Sequence, residues 1–458
     1  MGKRTSAAAA RVDLIRVLDL LQAHLTPALC EAAFRRVRIT ERQRVWTLHA
    51  LVQFWTAVIL RAPQALSQAL ADAVADREPL FPRIQASPEA FFQRCRDLRP
   101  AFFAEVFRRF TVRLLAQVPA RYAQPLAPVQ ARFAAIVVID GSRLAAVARR
   151  LKLLWHERAV ILPGALLALY DLGRGLCQAL HFSADAAASE MTRAKAALAG
   201  LAPDTLLVGD RLYCTVDFFG AVQRQGCWGL FRRNRLVGLH RLRRLRKRRH
   251  AGGCLEDWLV QAGSGVSAPA QTLRYIRWRQ GGTRYELLTN VLDPTRLVAE
   301  EALALYPCRW RIERMYFDLK AVLNLNRVYA ANPHAVAMQV FTAGLVYNAM
   351  RVAQGEVADA AGIAPEEISP AKFYPKLASA CHAYVVSQLT VHTIRRLNPR
   401  TPLRLPDWRT QRWASVEVTT LRVERRTGRR RKRRYCAARR TWKSFAHVRG
   451  GRRFTRLS

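Results

Sequence analysis

Two short apolar runs, each closed by an aspartate, constrain this chain more than any other feature. AAIVVID ends at Asp140, and DTLLVGD ends at Asp210. Runs of this length, rich in β-branched or aliphatic residues and without polar alternation, predict strands buried on both faces. Between them, GALLALYDL and GLCQALHF flank Gly173 and Gly175, which predicts a hairpin. AAASEMTRAKAAL then reads as a helix.

Three strands, a helix and a fourth strand form the opening order of an RNase H-like fold. Residues 215–225 read as a further helix. Residues 227–293 differ in character. WGLFRRNRLVGLHRLRRLRKRRH is intensely basic, and RYIRWRQGGTRYELLTNVLD alternates about Gly281-Gly282 like a hairpin. From Pro294 to about Gln354 the pattern is helical again. Residues 1–125 are helical throughout in this reading, with Ser87-Pro88-Glu89 as an N-cap, a first-turn proline and an early acid. The expected class is therefore α/β: an RNase H-like catalytic core interrupted by a mainly β insertion. The expected layout is a helical domain at 1–125, either a plain bundle or one that also contacts DNA, then core at 130–226, insertion at 227–293, core again at 294–354, and a helical, basic C-terminal region at 355–458. Within the last, ERRTGRRRKRRYCAARR (424–440) reads as a mobile arm.

Charge names the partner class. Lys and Arg number 75 against 33 acids, a formal +42 over 458 residues. A chain this basic repels itself unless it meets a polyanion, so nucleic acid is expected. Charge names no activity, since a packaging protein would share it. Nine cysteines without a CxxC pair argue against a zinc ribbon or a disulfide framework and fit a reducing cytosol. The run Val45 to Leu60 carries His49 and Gln53 and predicts a buried helix, not a membrane span. A cytoplasmic, nucleoid-associated protein is expected.

Asp140 and Asp210 each close a predicted strand, the sheet edge where sites are built in α/β folds. A strand-end Asp also serves as an ordinary turn residue. The third element is YPCRWRIERMYFDLK (306–320). At about 100° per residue, Tyr306, Arg309, Glu313 and Lys320 fall within an arc of about 60°. Ile312, Met315, Leu319, Val322 and Leu323 lie opposite. One face would pack on a core while the other presents an acid between two bases and a phenol. Arg309 and Glu313 could also be a plain i, i+4 surface pair. Together, two strand-end aspartates and a helical glutamate form an oxygen-rich set suited to two Mg²⁺ or Mn²⁺ ions, one activating water or a 3′-hydroxyl and one stabilising the leaving oxygen at phosphorus. Arg309 and Lys320 would hold phosphates, and Tyr306 a phosphate or Glu313 itself.

The Y-x2-R-x3-E-x6-K spacing of Tyr306, Arg309, Glu313 and Lys320 resembles the signature of bacterial DDE-class insertion-sequence transposases, in the group that includes the insertion sequence four family. Asp140 in VVIDGS and Asp210 in GDRLY look like that group's first and second catalytic aspartates, 70 residues apart, with Glu313 a further 103 residues on. The resemblance covers roughly residues 130–350. It implies a DNA-end-binding N-terminal domain, a β-strand insertion in the core and two divalent ions. It further implies cut-and-paste movement of an inverted-repeat element by a homodimer acting on double-stranded DNA ends and target. Arg211, beside Asp210, joins Tyr306, Arg309 and Lys320 as an expected DNA contact.

Pro307 departs from the group's pattern and predicts a kink or break before the Glu313 helix. The Arg-rich block 241–249 is denser than the resemblance requires and suits either flanking DNA or a solvated surface. Trp228, Trp258 and Trp278 are candidates to stack a flipped base, although most Trp simply pack. His181, His240, His250 and His334 form no ligand cluster by spacing. Glu190 and Asp185 are conceivable supporting groups, and Glu256 and Asp257 read as surface acids of the insertion. The competing readings are an RNase H-like nuclease that cuts without strand transfer, and a domesticated protein that only binds DNA.

Overall fold

Apolar residues at helical spacing build the first part of the chain into α1 (Arg16–His24), α2 (Pro27–Val37), α3 (Leu48–Arg61), α4 (Leu66–Val74), α5 (Pro88–Asp97) and α6 (Ala101–Gln117). The computed structural model describes residues 10–13, 15–37, 44–75, 80–144, 161–162, 164–263, 269–330, 332–397, 413–416, 418–423 and 443–444. The basic run 424–440 lies outside them. Ser87 caps α5 as its sequence predicts, its hydroxyl accepting from the Ala90 amide at 3.3 Å. The Val45–Leu60 stretch supplies α3, whose Phe54, Trp55 and Val58 are wholly buried. The helical reading of 1–125 did not include strand β1 (Ala10–Asp13), which pairs antiparallel with β12 (Trp413–Val416). Pairing between such distant segments leaves no local signature in either.

After the short α7 (Ala127–Gln130), AAIVVID forms β2 (Ala135–Arg143). β3 (Ile161–Leu162) pairs outside the main sheet, with β13 (Lys443–Ser444). The hairpin of β4 (Ala165–Asp171) and β5 (Leu176–Ser183) turns through Gly175, at φ +71°, where the Tyr122 ring would strike any added Cβ. α8 (Glu190–Ala197) leads to β6 (Thr205–Gly209), formed by DTLLVGD, and then to α9 (Val216–Arg224). β7 (Trp228–Arg232), β8 (Leu239–His250), β9 (Gly253–Ala262), β10 (Gln271–Gln280) and β11 (Thr283–Thr289) follow.

All of these but β3 join one nine-stranded sheet in the order β5-β4-β2-β6-β7-β11-β10-β9-β8. β2, β6 and β7 run parallel; the remaining neighbours are antiparallel. The residues of 227–293 thus continue the sheet through β7 and its partner β11, with hydrogen bonds unbroken from β5 to β8.

Burial on both faces follows the period-2 alternation of strands. Ile136, Val138, Leu166 and Ala168 enter one core with the α3 and α6 aromatics and α12 (Pro333–Ala361). Val137, Ile139, Leu167 and Leu169 enter a second core under α8 and α9, with Ala194, Phe218 and Phe219. α12 is buried nearly all round, which explains its weak amphipathicity. Among the described residues no helix is long and apolar enough to cross a membrane.

Glu256 and Asp257 are not surface acids. They are 6% and 2% exposed. Arg274, itself fully buried, forks onto Asp257 at 2.6–3.1 Å, and Arg277 pairs with Glu256. Antiparallel register sets Arg277 opposite Glu256 across β9 and β10, and puts Arg274 diagonal to Asp257, two residues from its direct partner Ile276, a proximity no local pattern reveals. The Arg-rich block forms β8, the exposed edge strand, bulged at Arg241/Arg243 and Arg244/Arg246. Like charges and bulges on an edge oppose pairing with another chain's strand.

Candidate active site

Asp140 sits inside β2, where parallel pairing with β6 has ended at Val138 and antiparallel pairing with β4 continues through Arg143. Asp140 therefore lies where β2 and β6 part. Asp210 is the residue directly after β6. Its Oδ1 accepts from the Leu212 amide at 2.7 Å, an Asx turn that fixes the strand end. Two neighbouring parallel strands thus bring the aspartates to one edge, within electrostatic reach of each other.

The helix bearing Glu313 does break at Pro307. α10 (Ala299–Leu305) passes into a 3-10 turn, Tyr306–Arg309, then α11 (Trp310–Phe317), then a π turn, Asp318–Val322. Ile312, Met315, Leu319 and Leu323 face the core as their spacing predicts. The opposite side meets β2. Arg309 extends between two acids, with Nη1 3.5 Å from Asp140 Oδ2 and Nη2 donating to Glu313 Oε1 at 2.9 Å. One guanidinium thereby joins the acid of β2 to the acid of α11. Arg309 is 9% exposed, and its plane also lies 4.9 Å from the Trp310 ring.

Burial dominates the electrostatics of Asp140. Its carboxyl is pushed up to about 7, first by loss of water, then by the charges of Asp210 and Glu190, against the pull of Arg309. Among the described residues no three His, Cys, Asp or Glu side chains are gathered tightly enough to hold a metal ion as they stand. The donor set nevertheless suits a hard divalent cation: a carboxylate within β2, three residues before its end rather than closing it, a second just past the end of the adjacent β6, and a third on α11 joined to the first by Arg309.

The remaining expected residues take distinct places. Tyr306 is buried, and burial raises its hydroxyl pKa to about 12. Lys320 donates to Ser142 Oγ at 2.6 Å and to the Arg143 carbonyl at 2.8 Å, so it clamps the end of β2. Arg211 is exposed on the turn after Asp210. Trp228 donates to Asp204 at 2.8 Å, Trp278 donates to the His250 carbonyl at 2.9 Å, and Trp258 underlies Arg241 and Arg244. Each of these Trp is engaged within the protein.

The sequence reading passed over Tyr316 and Tyr213, and gave Glu190 no definite role. Tyr316 donates to the Asp140 carbonyl at 2.7 Å. Tyr213 donates to Glu190 Oε1 at 2.6 Å. The one available signal was position: Tyr316 is one helical turn beyond Glu313, and Tyr213 lies three residues beyond Asp210.

Residues 163–349 match the family model described as "Transposase DDE domain". The match takes in Asp210 and Glu313 and begins after Asp140. No curated protein matches the chain. Among solved structures, the piggyBac transposase synaptic complex with hairpin DNA is similar at 8% identity and a TM-score of 0.37, over 92% of this chain and 89% of that one. That last likeness is too loose to carry an argument. With the transposase domain at its centre, the chain acts as a DNA transposase, an enzyme that cleaves DNA and transfers the cut strands.

Proposed function

We propose that the chain cuts and joins the ends of an insertion sequence of the insertion sequence four group, by cut-and-paste transposition, with Asp140, Asp210 and Glu313 as its catalytic carboxylates on an RNase H-like core. The observation that carries this reading is the Arg309 bridge, which joins Asp140 to Glu313 across 173 residues of chain and beside Asp210. A surface i, i+4 pair needs no contact with a half-buried aspartate on a β-strand.

Asp140, Asp210 and Glu313 would hold the divalent ions, Mg²⁺ or Mn²⁺, which supply charge neutralisation at phosphorus and an activated oxygen nucleophile. The chain's own residues orient and balance this set. Tyr316 holds the Asp140 carbonyl, and Lys320 holds Ser142 and the Arg143 carbonyl just beyond it, so both fix the end of β2 that carries the Asp140 carboxylate. Arg309 bridges Asp140 and Glu313 and, on a fork that suits phosphate as well as carboxylate, would turn to the DNA backbone when cations take its place. Arg211 and Tyr306 flank the same edge. A net charge of +42 provides the sequence-independent hold on double-stranded DNA, at element ends and target alike. The helices of 1–125 would bind the ends, 227–293 would add a basic surface, and two copies would pair the ends. The protein would work in the bacterial cytoplasm, at the nucleoid.

The test is a strand-transfer assay on DNA carrying the element's own terminal repeats, with Mg²⁺. Asp140→Ala, Asp210→Ala and Glu313→Ala are each expected to abolish cleavage and joining while end binding persists in gel shifts. A Glu313→Ala protein that binds ends and cuts like the parent overturns the assignment.

A further inference from the structure

Glu190 is the first residue of α8, capped by Ser189, whose hydroxyl accepts from the Thr192 amide at 3.3 Å. Its side chain turns back from the helix to the sheet edge. There the carboxyl lies over Gly141, where any Cβ would run into it. The absence of a side chain at 141 is what lets Glu190 reach the main chain beside Asp140. From the other side, the buried Tyr213 hydroxyl, on the loop that follows Asp210, donates to Glu190 Oε1 at 2.6 Å. Burial and the neighbouring acids raise the Tyr213 pKa far above its usual value, so this hydroxyl remains a donor. The carboxylate is thus locked between the segment after Asp140 and the segment after Asp210. Its charge is felt at Asp140. A carboxylate placed beside that of Asp140 raises the energy of the site without a cation. A structural role alone would be met by a neutral glutamine, which can accept from Tyr213 equally well.

We infer that Glu190 is a fourth carboxylate of the catalytic pocket, facing the divalent cation beside Asp140 and Asp210 and positioned by Tyr213 and by the bare Cα of Gly141. This rests on the proposed cation site of Asp140, Asp210 and Glu313, and extends it.

Mn²⁺ titrated into the full-length, metal-free protein, with free Mn²⁺ followed by electron paramagnetic resonance, tests the assignment without DNA or turnover. Glu190→Gln is expected to weaken Mn²⁺ binding by about tenfold or more, the scale on which supporting groups tune metal sites. Its thermal midpoint without metal should not fall. Glu190→Asp should recover part of the affinity. Gly141→Ala, which displaces the same carboxyl from the opposite side, should weaken binding in the same direction. Asp140→Asn is the control. If Asp140→Asn loses Mn²⁺ while Glu190→Gln and Gly141→Ala bind like the parent, the Glu190 assignment is wrong and the three-acid site stands. If Asp140→Asn also binds like the parent, the cation site itself fails, and Glu190 with it.

Discussion

The Tyr316 hydroxyl donates to the main-chain carbonyl of Asp140 at 2.7 Å, so the helix that carries Glu313 is pinned to the strand that carries the first acid. Tyr316 is 4% exposed, and burial first of all raises its pKa well above the ordinary phenol value, which keeps the proton on the donor. Tyr316→Phe removes one of the two hydrogen bonds of a carbonyl that still pairs with β4 at Ala168, at a cost of about 0.5–1.5 kcal/mol. Thermal unfolding should show the loss. Single-turnover cleavage should fall further than stability alone explains, because the spacing of Asp140 and Glu313 loosens.

Arg309 offers a second handle on the same spacing. Its fork contacts Asp140 and Glu313 through different nitrogens. Lysine presents one point of charge and cannot reproduce that geometry. Arg309→Lys is therefore expected to cut DNA nearly as poorly as Arg309→Ala. Full activity in Arg309→Lys, measured as cleavage rate at saturating DNA, would show that charge alone suffices.

The pH dependence follows from Asp140. Its folded pKa, about 7, lies above the ordinary carboxylate value. The folded protein therefore holds a proton that the unfolded chain has already released, and ∂ΔG/∂pH is negative between the two values. The metal-free protein should lose stability as pH rises from about 4 to about 7. Asp140→Asn should remove that slope and raise the melting temperature at pH 8. Divalent cations compete with the same proton, so Mn²⁺ affinity of the parent should climb across this window. A melting curve independent of pH in the parent would contradict the environment assigned to Asp140.

Arg274 and Asp257 are 0% and 2% exposed and depend on each other. Asp257→Ala strands a buried guanidinium that also donates to the Leu297 carbonyl, at 2.5 Å. Breaking a buried pair in this way costs about 3–5 kcal/mol. The double variant Asp257→Leu/Arg274→Met should recover much of it. Chemical denaturation of the three proteins gives the coupling.

Lys320 holds Ser142 and the Arg143 carbonyl. Lys320→Ala should reduce cleavage less than loss of any of the three acids, and Ser142→Ala should reduce it less again. A Lys320→Ala defect confined to DNA affinity, with the cleavage rate at saturation unchanged, would mean that the lysine serves phosphate and not β2.

How much of this was legible in the sequence differs by element. AAIVVID and DTLLVGD announced β2 and β6 because burial on both faces demands unbroken apolar runs. The turn at Gly173–Gly175, the cap at Ser87 and the break at Pro307 were readable because their causes are local: backbone freedom, a side-chain hydroxyl and a missing amide. The buried face of α11 was readable because helical period alone sets it. The nine-stranded continuity, the pairing of β1 with β12 and the burial of Glu256 and Asp257 were not, since each depends on partners brought together only by registry between distant strands. The same holds at the candidate site. Spacing singled out Asp140, Asp210 and Glu313, but the Arg309 bridge, the Tyr316 pin and the place of Glu190 over Gly141 depend on contacts between elements far apart in sequence. Local preference is written residue by residue, whereas proximity across a fold is set by the packing of the whole core, and only the tertiary structure decides it.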